Sequence, residues 1–244
     1  MASNSAVPVF VALDVNDVDK ARDMVRQLGD AGTHYKVGLE LFLSAGRRWV
    51  SELAEQGKRV FLDLKFHDIP NTVRSAVREA SQLGAEWMTV HALGGYAMLA
   101  AAKEGAEAVT GGRTHSVRLL AVTLLTSHAP ADLQAIGLKS SDPQEGVLKL
   151  ASLAQAAELH GVVCSPQEVR LIRHHSHLAA MVPGIRPQDA ASNDQHRIAT
   201  PAEAVAAGAT YLVVGRPILQ ASDPLQALLS IQSEVQGALQ NREE

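Results

Sequence analysis

The segment Val60–Thr72, VFLDLKFHDIPNT, sets Asp63, Lys65 and Asp68 within six residues at the end of a run that otherwise reads as a buried strand. A charge buried without a partner is costly and tends to neutralise. Three charges at such a place therefore form an ion-pair network, or they belong to a solvated loop. If they form a network, two uses are open: fixing the strand end, or holding an ammonium and carboxylates for proton transfer and charge stabilisation. Spacing alone leaves both open, because structural ion pairs also perturb their members. Asp63 and Lys65 are two residues apart and so share one face of a strand. Asp68 lies past the strand and must reach back or reach elsewhere.

Further charges stand at the ends of other apolar runs. Asp14 closes VFVALDV, Lys36 lies within HYKVGL, and His91 closes WMTVHA. Two lysines interleaved with three carboxylates argue against a metal centre made of these residues alone, since each ammonium occupies space and supplies charge that a hard cation would need. Two Gly–Arg pairs follow later runs, in VPGIRP (Gly184, Arg186) and VVGRPI (Gly215, Arg216). A glycine that lets backbone amides approach and an arginine that pairs in bidentate fashion suit a phosphate; the plainer reading is two turns with exposed arginines. The polar stretch from Arg186 to Ala199 has the length and composition of a lid. RHHSH (Arg173–His177) follows a helical segment with no carboxylate or cysteine nearby, so His174, His175 and His177 read as a solvated helix end. Cys164 reads as core, and His91 as either a ligand contact or a satisfied structural histidine.

Eight short, mostly continuous apolar runs must position these groups: Val9–Val15, His34–Leu39, Arg59–Lys65, Trp87–Ala92, Leu119–Leu125, Gly161–Ser165, Ala179–Gly184 and Tyr211–Arg216. Continuous rather than alternating apolar character is expected of parallel strands covered on both faces. Segments of helical periodicity lie between them, including Asp17–Gly29, Asn71–Gly84 and Thr200–Gly208. Each ends in glycine, and TPAE adds a Thr cap, a first-turn proline and a glutamate three residues on. Eight strand–helix units predict a single-domain (β/α)₈ barrel spanning residues 1–244, with residues 1–7 a loose tail. A doubly wound open sheet is the rival architecture, but eight consecutive units without a break in composition favour closure. TGGRTHS and LKSSDPQEG read as surface loops. In such a barrel, functional side chains collect at the C-terminal ends of the strands, and the loops after strands seven and eight often hold phosphate.

The totals exclude other classes. Of 244 residues, 46% are hydrophobic and 20% charged, enough apolar material for one large core. The net charge of −4 gives no reason to expect a nucleic-acid or membrane-surface partner. One cysteine precludes an intrachain disulfide and suits a reducing, cytoplasmic setting. The N-terminus lacks the pattern of a signal peptide, and no run is long enough to span a membrane.

Taken together, Asp14, YKVG around Lys36, DLKFHDIPNT, TLLTS (Thr123–Ser127), PGIRP and VVGRPI resemble orotidine 5′-phosphate decarboxylase of the bacterial type, essentially end to end. The resemblance implies a cofactor-independent, metal-free decarboxylation of orotidine 5′-monophosphate, the last step in making uridine 5′-monophosphate. It implies that Lys65 protonates C6 as carbon dioxide leaves, within a charged network of Asp63, Lys65, Asp68 and Lys36. By the same resemblance Asp63 sits against the substrate carboxylate, and Lys36 and Asp14 contact the ribose hydroxyls, with Lys36 also holding Asp63. It further implies a homodimer in which Asp68 and Thr72 complete the neighbour's site. Thr126 matches a position near the pyrimidine, while Arg186, Gln195, Gly215 and Arg216 match phosphate-binding and lid positions. Magnesium-dependent 3-keto-L-gulonate 6-phosphate decarboxylases and hexulose-phosphate synthases share D-x-K-x-x-D, but they carry a glutamate ligand where this chain has Lys36. A non-catalytic phosphoribosyl-ligand sensor is the rival of a different class, and no feature of the sequence requires it.

Overall fold

The computed structural model describes residues 7–109, 117–128, 130–135, 143–187 and 198–243. The strands are β1 (Val9–Ala12), β2 (His34–Gly38), β3 (Arg59–Phe66), β4 (Trp87–His91), β5 (Arg118–Val122), β6 (Gly161–Val163), β7 (Ala179–Val182) and β8 (Tyr211–Val214). Each pairs in parallel with its sequence neighbours, and β8 pairs with β1 to close the barrel. The single-domain (β/α)₈ expectation holds, and the open sheet does not.

The helices are α1 (Val18–Leu28), α2 (Leu39–Glu55), α3 (Pro70–Ser81), α4 (Gly95–Glu107), α5 (Pro130–Ala135), α6 (Pro143–Ala156), α7 (Val169–His175), α8 (Pro201–Ala207), α9 (Arg216–Leu219) and α10 (Pro224–Glu243). Local chemistry sets several of their ends. The Asp17 side chain caps α1 by accepting from the Asp19 N–H at 2.7 Å. Thr200 and Glu203 form a reciprocal capping box at α8, and Gly208 closes that helix in the left-handed region at φ 104°. The helix expected to run to Gly84 ends at Ser81, leaving Gly84 in a left-handed turn beyond it.

Strand alternation sorts the core into two clusters. Val9, Val11, Val60, Leu62, Leu212 and Val214 belong to the larger one, between sheet and helices. Their alternate neighbours, among them Phe10, Ala12, Phe61, Trp87, Tyr211 and Val213, fill the barrel itself. Phe10 meets Trp87, Phe61 and Tyr211 edge-on, with ring centroids 5.0, 5.8 and 6.0 Å away. This aromatic cluster lies toward the N-terminal ends of the strands, so the open end is at the other mouth.

Most strands stop one to three residues earlier than the apolar runs suggest. Several of the extra residues are buried all the same, among them Leu13, Leu124 and Cys164, while Asp14 and Leu39 are exposed. β3 instead runs one residue further, to Phe66. Val7, expected in the loose tail, is buried against the core; residues 1–6 lie outside the described residues. So does the TGGRTHS loop, and of LKSSDPQEG the described part, from Pro143, opens α6 rather than a loop. Among the described residues, no helix is long and apolar enough to cross a membrane.

Candidate active site

A cavity of about 520 Å³ opens at the C-terminal ends of the strands. Asp14, Lys36, Asp63, Lys65, Thr126, Arg186, Gly215 and Arg216, all singled out in the sequence, line it. Register explains the convergence of the charged group. Ala12 is the Cα partner of Lys36, and Lys36 of Phe61, so residues of one inward parity on β1, β2 and β3 lie side by side. Two residues beyond Ala12 and Phe61 come Asp14 and Asp63, at the mouth.

There the Lys36 ammonium donates to Asp14 Oδ1 at 2.7 Å and lies 3.8 Å from Asp63 Oδ2. The Lys65 ammonium donates to the same Asp63 Oδ2 at 2.9 Å. Asp63 thus stands between two cations, its side chain only 14% exposed. Burial acts to raise the Asp63 carboxyl, but the charges of Lys36 and Lys65 and the hydrogen bonds from Lys65 and Thr89 outweigh it. The net result lies below the ordinary aspartate value. Asp63 is therefore ionised at neutral pH, and the array holds two ammoniums against two carboxylates.

Lys65 departs from simple strand geometry. Its φ is +51°, in the left-handed region that non-glycine residues seldom occupy, and the pairing of β3 with β4 shifts register between Leu62 and Phe66. A bulge of this kind re-aims a side chain. Thr89 of β4 bridges it: its hydroxyl accepts from the Lys65 backbone N–H at 2.8 Å and donates to Asp63 Oδ1 at 2.9 Å. The sequence reading missed Thr89. Its signal was parity, since Thr89 is two residues from the inward Trp87 on a strand that pairs with β3.

The phosphate-side candidates are also brought together. Arg186 is 5% exposed, which rules out a solvated turn arginine, and its Nη1 donates to the Ile185 carbonyl at 3.0 Å. Gly184 precedes it at φ 79°, a conformation suited to glycine. Gly215 sits against Ala12 and Asp14, each within ordinary contact of where a Cβ would stand. The ends of the proposed lid are tied together, with the Arg186 N–H donating to Ala199 O at 2.9 Å and the Ala199 N–H to Gly184 O at 3.3 Å. Between them residues 188–197, including Gln195, lie outside the described residues.

Two expected site residues are not in this cavity. Asp68 is exposed and accepts from the Ile69 N–H at 2.7 Å, and Thr72 is exposed on the first turn of α3. His91 also stays out of the cavity lining. It is buried, its Nδ1 accepts from the Leu93 N–H at 3.4 Å, and its ring stacks on His67 with centroids 5.3 Å apart. Burial, then the nearby His67, His128 and Lys65, push it down to about 4, so it is a neutral structural histidine. Cys164 is buried as expected and also forms part of the cavity wall. His174 and His175 end α7, and among the described residues no three His, Cys, Asp or Glu side chains are grouped to hold a metal ion.

The family model described as orotidine 5′-phosphate decarboxylase / HUMPS matches residues 8–231. The chain belongs to that family. A curated relative from Halorhodospira halophila, named orotidine 5′-phosphate decarboxylase, is 51% identical over 232 residues, covering 94% of this chain and 96% of its own. One from Idiomarina loihiensis with the same name is 44% identical, covering 93% and 97%. The crystal structure of orotidine 5′-phosphate decarboxylase from Lactobacillus acidophilus superposes with a TM-score of 0.83 at 41% identity, covering 94% of this chain and 99% of that one. The family is one of enzymes, and this chain is an enzyme of it.

Proposed function

We propose that the protein converts orotidine 5′-monophosphate to uridine 5′-monophosphate and carbon dioxide as a cytoplasmic enzyme. The observation that carries the proposal is the ammonium of Lys65, held at 2.9 Å by the largely enclosed, ionised Asp63 in the mouth of the barrel. The C6–carboxylate bond breaks and its electron pair stays on C6. The Lys65 ammonium stabilises that charge and delivers its proton to C6, giving uridine 5′-monophosphate, carbon dioxide and a neutral lysine that solvent reprotonates. Asp63 keeps Lys65 charged and aimed, and lies against the substrate carboxylate. Lys36 and Asp14 hold the ribose hydroxyls, and Thr126 faces the pyrimidine. Arg186, Gly215 and Arg216, with Gln195 from the intervening segment, take the phosphate. Binding energy from the phosphate drives closure around the ring, which strengthens every charge inside. No cofactor enters this reading.

The reading includes a homodimer. Asp68 and Thr72 face solvent in the single chain, which suits residues that complete the neighbour's site. The segments following β2, β3 and β4 also expose Leu39, Leu43, Ile69, Leu93 and Tyr96, apolar side chains of the kind a partner covers.

The magnesium-dependent sister activities receive less support. The Lys36 ammonium fills the space between Asp14 and Asp63 and neutralises the charge a hard cation would need. Supplying the purified protein with orotidine 5′-monophosphate in EDTA, and with 3-keto-L-gulonate 6-phosphate in magnesium, tests the choice. Chromatography is expected to show uridine 5′-monophosphate from the first and no product from the second. The reverse pattern would reassign the protein to the sister activity.

A further inference from the structure

The charged array depends on one uncharged side chain from the adjacent strand. Thr89 is fully buried on the inner face of β4, and it makes two hydrogen bonds with two different parts of the array. Its oxygen accepts from the backbone N–H of Lys65, the residue at φ +51° in the irregular stretch of β3. Its hydroxyl hydrogen goes to Asp63 Oδ1 at 2.9 Å. Because an oxygen that accepts from an amide has a single proton to give, the direction of the chain is fixed: Lys65 N–H to Thr89 to Asp63.

That arrangement divides the Asp63 carboxylate between two tasks. Oδ1 is tied to the threonine, and Oδ2 is left facing both ammoniums, 2.9 Å from Lys65 and 3.8 Å from Lys36. The same threonine anchors the backbone from which the Lys65 side chain departs. Lysine position and carboxylate rotation are thus set by one hydroxyl on a rigid strand. Without it, both the Lys65 amide and Asp63 Oδ1 lose a partner beside the cavity, and β3 loses a tie in the one stretch where its ladder with β4 is interrupted.

We propose that Thr89 is a positioning residue for the reaction: its hydroxyl fixes the orientation of Asp63 and the left-handed backbone at Lys65, so that the ammonium stands ready to donate. The inference rests on the decarboxylase reading. It assigns Thr89 no contact with substrate, so its effect falls on the chemical step and not on binding. Angular and sub-ångström control of a catalytic group carries large factors in rate.

The test uses the full-length protein and orotidine 5′-monophosphate, comparing wild type with Thr89→Ser, Thr89→Ala and Thr89→Val. Serine keeps the oxygen, alanine differs from serine by that oxygen alone, and valine keeps the shape of threonine without it. Thr89→Ser is expected to hold kcat within about threefold, while Thr89→Ala and Thr89→Val lower it by about 30-fold or more, with KM changed by less than about threefold. If the valine variant does not fold, the serine–alanine pair makes the same comparison. Equal kcat in the serine and alanine variants, or a loss that appears in KM, would overturn the positioning role while leaving the functional reading in place. A wild-type protein without turnover would overturn both.

Discussion

Asp63 shows how a residue's environment decides its chemistry. Burial of its carboxylate acts to raise its pKa and favour the neutral form. Two ammoniums and the Thr89 hydroxyl reverse that outcome. The motif D-x-K made the pair Asp63–Lys65 legible from spacing, and Asp14 and Lys36 stood out at neighbouring strand ends, but Thr89 of β4 did not. The arginines are a second case. Sequence placed Arg186 and Arg216 past strand ends, and burial decides between an exposed turn and a pocket wall for Arg186. If Arg216 pairs with the phosphate, Arg216→Ala lowers kcat/KM for orotidine 5′-monophosphate by about 10²-fold or more, chiefly through KM. Steady-state kinetics measure this, and an unchanged KM would contradict the assignment.

Among the elements, strands were legible and their ends were not. All eight apolar runs became strands because parallel strands covered on both faces need continuous apolar sequence. Their C-terminal limits were overrun because Leu13, Leu124 and Cys164 are as buried as the strands they follow, although the backbone has already left the ladder. Capping chemistry read well where it is local, as at Thr200–Glu203. The bulge at Lys65 was not legible, since D-L-K-F carries no glycine to announce a left-handed residue. A non-glycine residue held there is sustained by its surroundings, here the Thr89 bond. Strain of this kind is concentrated at functional sites.

The whole molecule adds what single elements lack. His34 is lowered to about 4 by burial and then by Arg59, with Glu86 opposing, and His91 to about 4 by burial and then by His67, His128 and Lys65. Between pH 6.5 and 4 the unfolded chain binds protons at these imidazoles that the folded chain does not, so stability falls as pH falls through that window. Asp63, lowered in the folded state, extends the loss to more acid pH, as its contribution disappears on protonation. Urea unfolding is expected to show about 2–4 kcal/mol less stability at pH 5 than at pH 7. Equal stability at the two values would contradict the burial of these histidines.

At the same scale, a site completed across a dimer makes a sharp demand. Mixing inactive Lys65→Ala and Asp68→Ala proteins, with exchange of subunits, leaves one intact site in each hybrid. Recovery of about a quarter of wild-type activity is expected at equal amounts. No recovery would place Asp68 in its own chain's site. The role of Asp68 and Thr72 across an interface came through resemblance, since spacing left Asp68 reaching back or elsewhere and said nothing of Thr72.

The most direct measurement follows the ultraviolet absorbance of orotidine 5′-monophosphate with the purified wild-type protein in EDTA, beside Lys65→Ala under identical conditions. Loss of the substrate band with the wild type, and a rate at least about 10³-fold lower with the variant, is the predicted result. A Lys65→Ala protein that removes the band as fast as the wild type would contradict the account, because the proton would then come from elsewhere.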